Sequence, residues 1–136
     1  MNNTIEVCEY HERGFKPQVD CNDWRVALLN SSDMYLPVNV SYFDRHLLTD
    51  EVFILLSGSV GLLTAGQDEK PKDTQCLWME PNKVYNIKKN TWHTLYMLPS
   101  SQLAVIENNN TCVGNSPRFY FTEEEKKCLL PEIKIT

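Results

Sequence analysis

Most of this chain alternates apolar and polar side chains every second residue, in short segments broken by turn signals at near-regular intervals. That period sends successive side chains to opposite faces of a strand. The candidate strands are residues 24–29, 37–43, 52–56, 59–64, 75–79, 84–87, 94–98, 103–107 and 118–121. Between them stand clusters such as Asn30-Ser31-Ser32-Asp33, Ser57-Gly58, Pro81-Asn82, Lys89-Asn90 and Asn108-Asn109-Asn110. Many short strands at this spacing predict an all-β sandwich or closed barrel. One helix is expected, over about 123–130. There Thr122 and Glu125 form a capping box, three glutamates face the positive helix end, Lys126 and Lys127 face the negative end, and Pro131 stops it.

The 136 residues allow one domain over 1–136, with the barrel core at about 24–121. Thirteen Lys and Arg against eighteen Asp and Glu leave a charge of −5 and no basic stripe, so nucleic acid is not an expected partner. No apolar run reaches membrane-spanning length and the charged N-terminus lacks a secretory apolar core, so the expected place is the cytoplasm, away from membranes. Cysteines 8, 21, 76, 112 and 128 include no C-x-x-C pair, which fits reduced thiols there.

Strand parity brings polar groups to one place. Val40, Tyr42, Asp44 and His46 share one face of their segment, while Ser41, Phe43 and Arg45 share the other. Glu51 then heads the apolar run VFILLSG, and its face continues through Phe53 and Leu55. A carboxylate buried beside Phe53 needs a cation, a hydrogen-bond network or a water-filled mouth. His93 opens the strand whose inner face carries Leu95 and Met97. By the same parity no Arg or Lys is expected to point inward beside Glu51, and His11 falls in a polar, exposed segment.

These residues resemble the cupin superfamily. Asp44-Arg45-His46, four residues, Glu51, six residues and Gly58 follow the spacing of its first motif, with Asp44 where a histidine is expected. Asn82, Asn90 and His93 follow the second, with asparagines where the family has glycines and Met97 where it has asparagine. Asparagine is the next residue to tolerate the left-handed turn conformation those glycines serve. The resemblance implies a double-stranded β-helix, the jelly-roll barrel of cupins, with a site in its mouth. It implies His46, Glu51, His93 and Asp44 as ligands of a divalent transition metal, whether Fe, Mn, Ni, Co or Zn. Tyr42, Phe53, Leu55 and Leu95 would then contact a small polar molecule, with Tyr35 and Tyr96 as neighbours. Isomerase, lyase or dioxygenase chemistry would fit, and no catalytic acid or base stands out. The alternative is a metal-free binding or sensing barrel without turnover. The resemblance further implies a homodimer, paired through the terminal segments TIEV (4–7) and RFYF (118–121).

Overall fold

The computed structural model describes residues 4–129, so Leu130 at the end of the expected helix and the Pro131 stop lie outside the described residues. Two five-stranded antiparallel sheets face one another. The first is ordered β1 (Gly14–Cys21), β2 (Trp24–Asn30), β9 (Gln102–Asn108), β4 (Glu51–Ser57), β7 (Tyr85–Ile87). The second is ordered β10 (Arg118–Tyr120), β3 (Tyr42–Asp44), β8 (His93–Met97), β5 (Val60–Thr64), β6 (Gln75–Trp78). The helix α1 (Glu123–Leu129) follows, with the capping box closed in both directions. Glu125 N–H donates to Thr122 Oγ1 at 3.1 Å and Thr122 N–H to Glu125 Oε1 at 2.9 Å.

The core follows from parity. Ala27, Leu29, Phe53, Leu55, Leu62, Leu95, Met97, Leu103 and Val105 meet between the sheets. Each of these side chains larger than alanine contributes roughly 1.5–3 kcal/mol on burial. The second sheet is also buried on its outer side, where Phe43, Leu63, Trp92 and Tyr96 pack with Phe119 and Phe121. Arg45 lies over the Trp92 ring at 4.3 Å, turned away from His46 as parity requires. Two turns behave as the asparagine substitutions predict, with φ of 64° at Asn82 and 68° at Asn90. Gly58 links the sheets at φ 79°, where an added Cβ would stand 2.6 Å from Ser101 Cα.

Two expectations are corrected. Residues 37–43 do not form a strand until Tyr42: Asp33–Tyr35 is a 3-10 turn, and Leu36 C=O accepts from both Asn39 N–H and Val40 N–H. Pro37 has no N–H for a ladder, so local turn bonding wins and Val40 packs into the outer cluster with Phe43. Gly14–Cys21, not read as a strand, forms β1 at the sheet edge. Pro17 is accommodated there beside an irregularity in register between Pro17 and Val19. In the single chain residues 4–7 form no strand, and Arg118–Tyr120 pairs with β3 on one side and stands at the edge of its sheet on the other.

Candidate metal centre

Glu51 is the first residue of β4 and only 7% exposed, a place where an ionised carboxylate must be partnered. His46 Nε2 lies 3.1 Å and His93 Nε2 3.0 Å from the same oxygen, Glu51 Oε1. Asp44 Oδ1 stands 3.6 Å from His93 Nε2. Residues separated by up to 49 positions are brought together because β3 pairs with β8 through Asp44 and His93, and β4 faces both from the other sheet.

Each imidazole is oriented from behind. His93 Nδ1–H donates to the Thr91 carbonyl at 2.9 Å. Ser116 Oγ donates its hydrogen to Asn115 Oδ1, so its oxygen accepts from His46 Nδ1–H at 2.7 Å. With hydrogen on Nδ1 in both rings, Nε2 is the atom each imidazole turns inward toward Glu51, and it is the atom that ligates once it carries no proton, the arrangement metal-bound histidines use. Donor atoms of Asp44, His46 and His93 lie within 4.8 Å of one another, as do those of His46, Glu51 and Glu107. The donor set therefore fits a divalent transition metal: two imidazoles with carboxylates, each imidazole fixed by an outer partner.

Sequence reasoning missed Glu107 and Arg25. Glu107 shares the inner face of β9 with Leu103 and Val105, and Arg25 sits directly opposite it on β2. Arg25 Nη2 donates to Glu107 Oε2 at 2.9 Å. The expectation of no inward cation near Glu51 is thus corrected, because period two in both strands sends this pair into the barrel. The signal was present in the alternation of 103–107. Ser116 carried no such signal, since it reaches His46 from a loop.

Burial pushes the carboxyl of Glu51 up, but hydrogen bonds from His46, His93 and Glu107 overcome it and hold it well below the usual range. Burial alone would push the His93 imidazole down. The Glu51 hydrogen bond and charge, with Asp44, outweigh it and raise His93 to about 9. Glu107 is raised to about 8, first by burial and then by Glu51, against the opposing pull of Arg25. Asp44 is raised by burial, with His93 and His46 opposing.

The cluster opens into a cavity of about 170 Å³ whose lining includes Tyr35, Tyr42, Phe53 and Leu95. Leu55 is corrected to a core position. It lies on the face of Phe53 but two residues further along β4, outside the cavity lining. Tyr96 belongs to the outer cluster, on the opposite face of β8 from His93. Burial first, then the charges of Glu51 and Asp44 among others, push the Tyr35 phenol up to about 12. A wider depression of about 550 Å³ near Tyr10, Asn30 and Pro99 contains none of the candidate ligands.

No family model matches the chain. It is 25% identical over 99 residues to ureidoglycolate lyase 2 of Rhizobium meliloti (strain 1021), across 70% of this chain and 61% of that protein. The chain thus spans about three fifths of the length of that curated relative. A cupin-2 domain protein from Shewanella frigidimarina superposes with a TM-score of 0.52 at 18% identity, covering 73% of this chain and 85% of its own. Streptomyces Pac13, a nucleoside dehydratase, superposes with a TM-score of 0.56 at 9% identity, covering 85% of both chains. The two-sheet barrel is the cupin fold.

Proposed function

We propose that this cupin barrel holds one divalent transition-metal ion on His46, His93, Glu51 and Asp44, and binds a small oxygen-rich molecule for elimination chemistry of the lyase class. The observation that carries the reading is the convergence of His46 Nε2 and His93 Nε2 on Glu51 Oε1, with Asp44 alongside, at the edge of a small cavity. Fe, Mn, Ni, Co and Zn all accept such donors. When bound, the ion supplies a Lewis acid that polarises a substrate oxygen. The rest falls to the chain. Tyr35, raised to about 12, stays a neutral hydrogen-bond donor beside the cluster. Phe53 and Leu95 limit ligand size, and Tyr42 offers a second hydroxyl. A cavity of about 170 Å³ is below the roughly 300–1,000 Å³ of drug-sized pockets, which suits a molecule of a few carbon atoms.

The relationship to a ureidoglycolate lyase makes ureidoglycolate the first substrate to test. Elemental analysis of protein purified without a histidine tag should find about one metal ion per chain. NMR should then show elimination from ureidoglycolate or another small 2-hydroxy acid. Absence of metal overturns the metal reading, and metal without turnover overturns the lyase reading. The metal-free alternative draws support from the network itself, because Glu51 is already bonded to both imidazoles. It expects ligand-induced thermal stabilisation that chelators do not change.

The assembly we propose is a homodimer formed through the outer face of the first sheet rather than through terminal strands. Val26 and Leu28, Val52 and Ile54, and Ala104 and Ile106 share that face, and β2, β9 and β4 place no charged side chain on it. A second copy of this acidic chain meets no carboxylate on these three strands, and Lys16 of β1, opposite Leu28, is the charged side chain beside them. Cytoplasmic residence is proposed because none of the five cysteines is in a disulfide. Among the described residues no helix is long and apolar enough to cross a membrane.

A further inference from the structure

β10 is an edge strand whose orientation is fixed from the outer side of its sheet. Phe119 pairs with Phe43, and its ring lies 6.3 Å from that of Trp92 in the outer cluster. Alternation turns its two neighbours toward the cavity side, so that Arg118 stands directly opposite Asp44 and Tyr120 opposite Tyr42. Arg118 is held in place at that rim. Its Cζ lies 4.4 Å from the centroid of the Tyr42 ring, and Nη1 donates to Tyr120 Oη at 3.3 Å. The Tyr42 and Tyr120 rings are 5.3 Å apart, and Tyr42 lines the cavity.

Among the described residues no carboxylate lies within ion-pair distance of Arg118, whereas Arg25 is already committed to Glu107 and to the carbonyls of Asn109 and Thr111. A guanidinium stacked on an aromatic face keeps in-plane N–H groups available, in the fork geometry that matches a carboxylate. The polar side chains that line the cavity are carboxylates, imidazoles, phenols, the hydroxyls of Ser41 and Thr94 and the amide of Asn39, with no guanidinium or amine among them.

We propose that Arg118 is the carboxylate-recognition residue of this cavity, and that the ligand is a small carboxylic acid whose charged end meets the Arg118 fork at the rim. A second ligand oxygen then reaches the Asp44, His46 and His93 cluster, and only this second contact rests on the metal-site reading above. A neutral sugar or amide would have no use for the fork. Arg118 is exposed, so its attraction is screened by salt.

Calorimetric titration of the zinc-loaded protein with glycolate and with its neutral amide, glycolamide, tests this. Wild type should bind glycolate about tenfold or more tightly than glycolamide, with the difference shrinking as salt rises. Arg118→Gln should lose about tenfold for glycolate, with glycolamide and zinc content unchanged, and Arg118→Lys should recover part of the loss. Glycolate binding by Arg118→Gln equal to wild type overturns the proposal. So does wild type that binds both compounds equally or neither. Zinc content measured on the same samples reports on the metal reading separately. If wild type carries no zinc, that reading fails, and the ratio of glycolate affinities on metal-free protein still decides the role of Arg118.

Discussion

Glu51 and Glu107 point toward one another from adjacent strands, one step beyond the Val52–Ile106 pair, and their carboxyl groups are hydrogen-bonded. Two buried carboxyls in contact cannot both ionise cheaply, so the pair shares a proton. The imidazoles of His46 and His93 favour charge on Glu51, and burial leaves the proton on Glu107. A row of polar contacts thus crosses the barrel from Arg25 through Glu107 and Glu51 to the histidines and Asp44.

Metal affinity should depend on pH well above the ordinary histidine range. His93 in the metal-free protein is raised to about 9 and must lose its proton to ligate. Competition titrations with zinc should show log K falling by about one unit per pH unit below that value. A plateau extending down to pH 6.5, the ordinary imidazole value, would contradict the raised His93.

His46→Ala and His93→Ala should each abolish stoichiometric metal while the barrel stays folded, because the apolar core between the sheets excludes both residues. Elemental analysis and circular dichroism on each variant check this. Full occupancy in the double variant would refute the ligand assignment.

Stability of the metal-free protein should decline as pH rises. The folded pKa of His93 lies above its unfolded 6.5, so its contribution is complete below 6.5 and lost as pH passes about 9. Glu107 acts in the same direction, since its folded state prefers the proton up to about 8 against an unfolded 4.5. Glu51, with a lowered pKa, contributes stability above 4.5 that is lost at lower pH. Urea melts across this range should therefore show a maximum on the acid side of neutrality. Glu107→Gln, which keeps a donor toward Glu51, should flatten the slope, while Glu107→Leu should cost about 1–3 kcal/mol at neutral pH.

Gly58→Ala should destabilise the barrel by about 1–3 kcal/mol. Its φ of 79° is unfavourable for an L side chain, and the new Cβ would meet the Ser101 backbone at 2.6 Å. Denaturant titration measures the loss, and a neutral result would show that the turn can shift away from Ser101.

Light scattering should give twice the chain mass at micromolar concentration. Ile54→Lys, in the middle of the outer face of the first sheet, should return a monomer with its fold intact. A wild-type monomer would refute this interface.

Much of the barrel was legible because period two is a local property: each alternating run carries its own instruction about which side chains turn inward. The same parity placed His93 with Leu95 and Met97, turned Arg45 away from His46, and marked Glu51 as a carboxylate in need of partners. Asparagines at turn positions announced the positive φ of Asn82 and Asn90 in the same local way.

What parity cannot supply is which strand lies beside which. Whether residues 37–43 extend or turn was decided by competition between ladder bonds and the local bonds to Leu36 C=O, which Pro37 tips toward the turn. The Arg25–Glu107 pair, the contact of Glu107 with Glu51, the Ser116 support of His46 and the position of Arg118 opposite Asp44 all join residues far apart in the chain. Each depends on register between non-consecutive strands or on where a loop returns. The sequence by itself determined most of the strands and their inward faces and marked Asp44, His46, Glu51 and His93 as candidate ligands, while Gly14–Cys21 and Glu107 escaped it. Only the tertiary structure decided their neighbours, and with them the charge each buried group carries, because electrostatics is set by distance through space rather than along the chain.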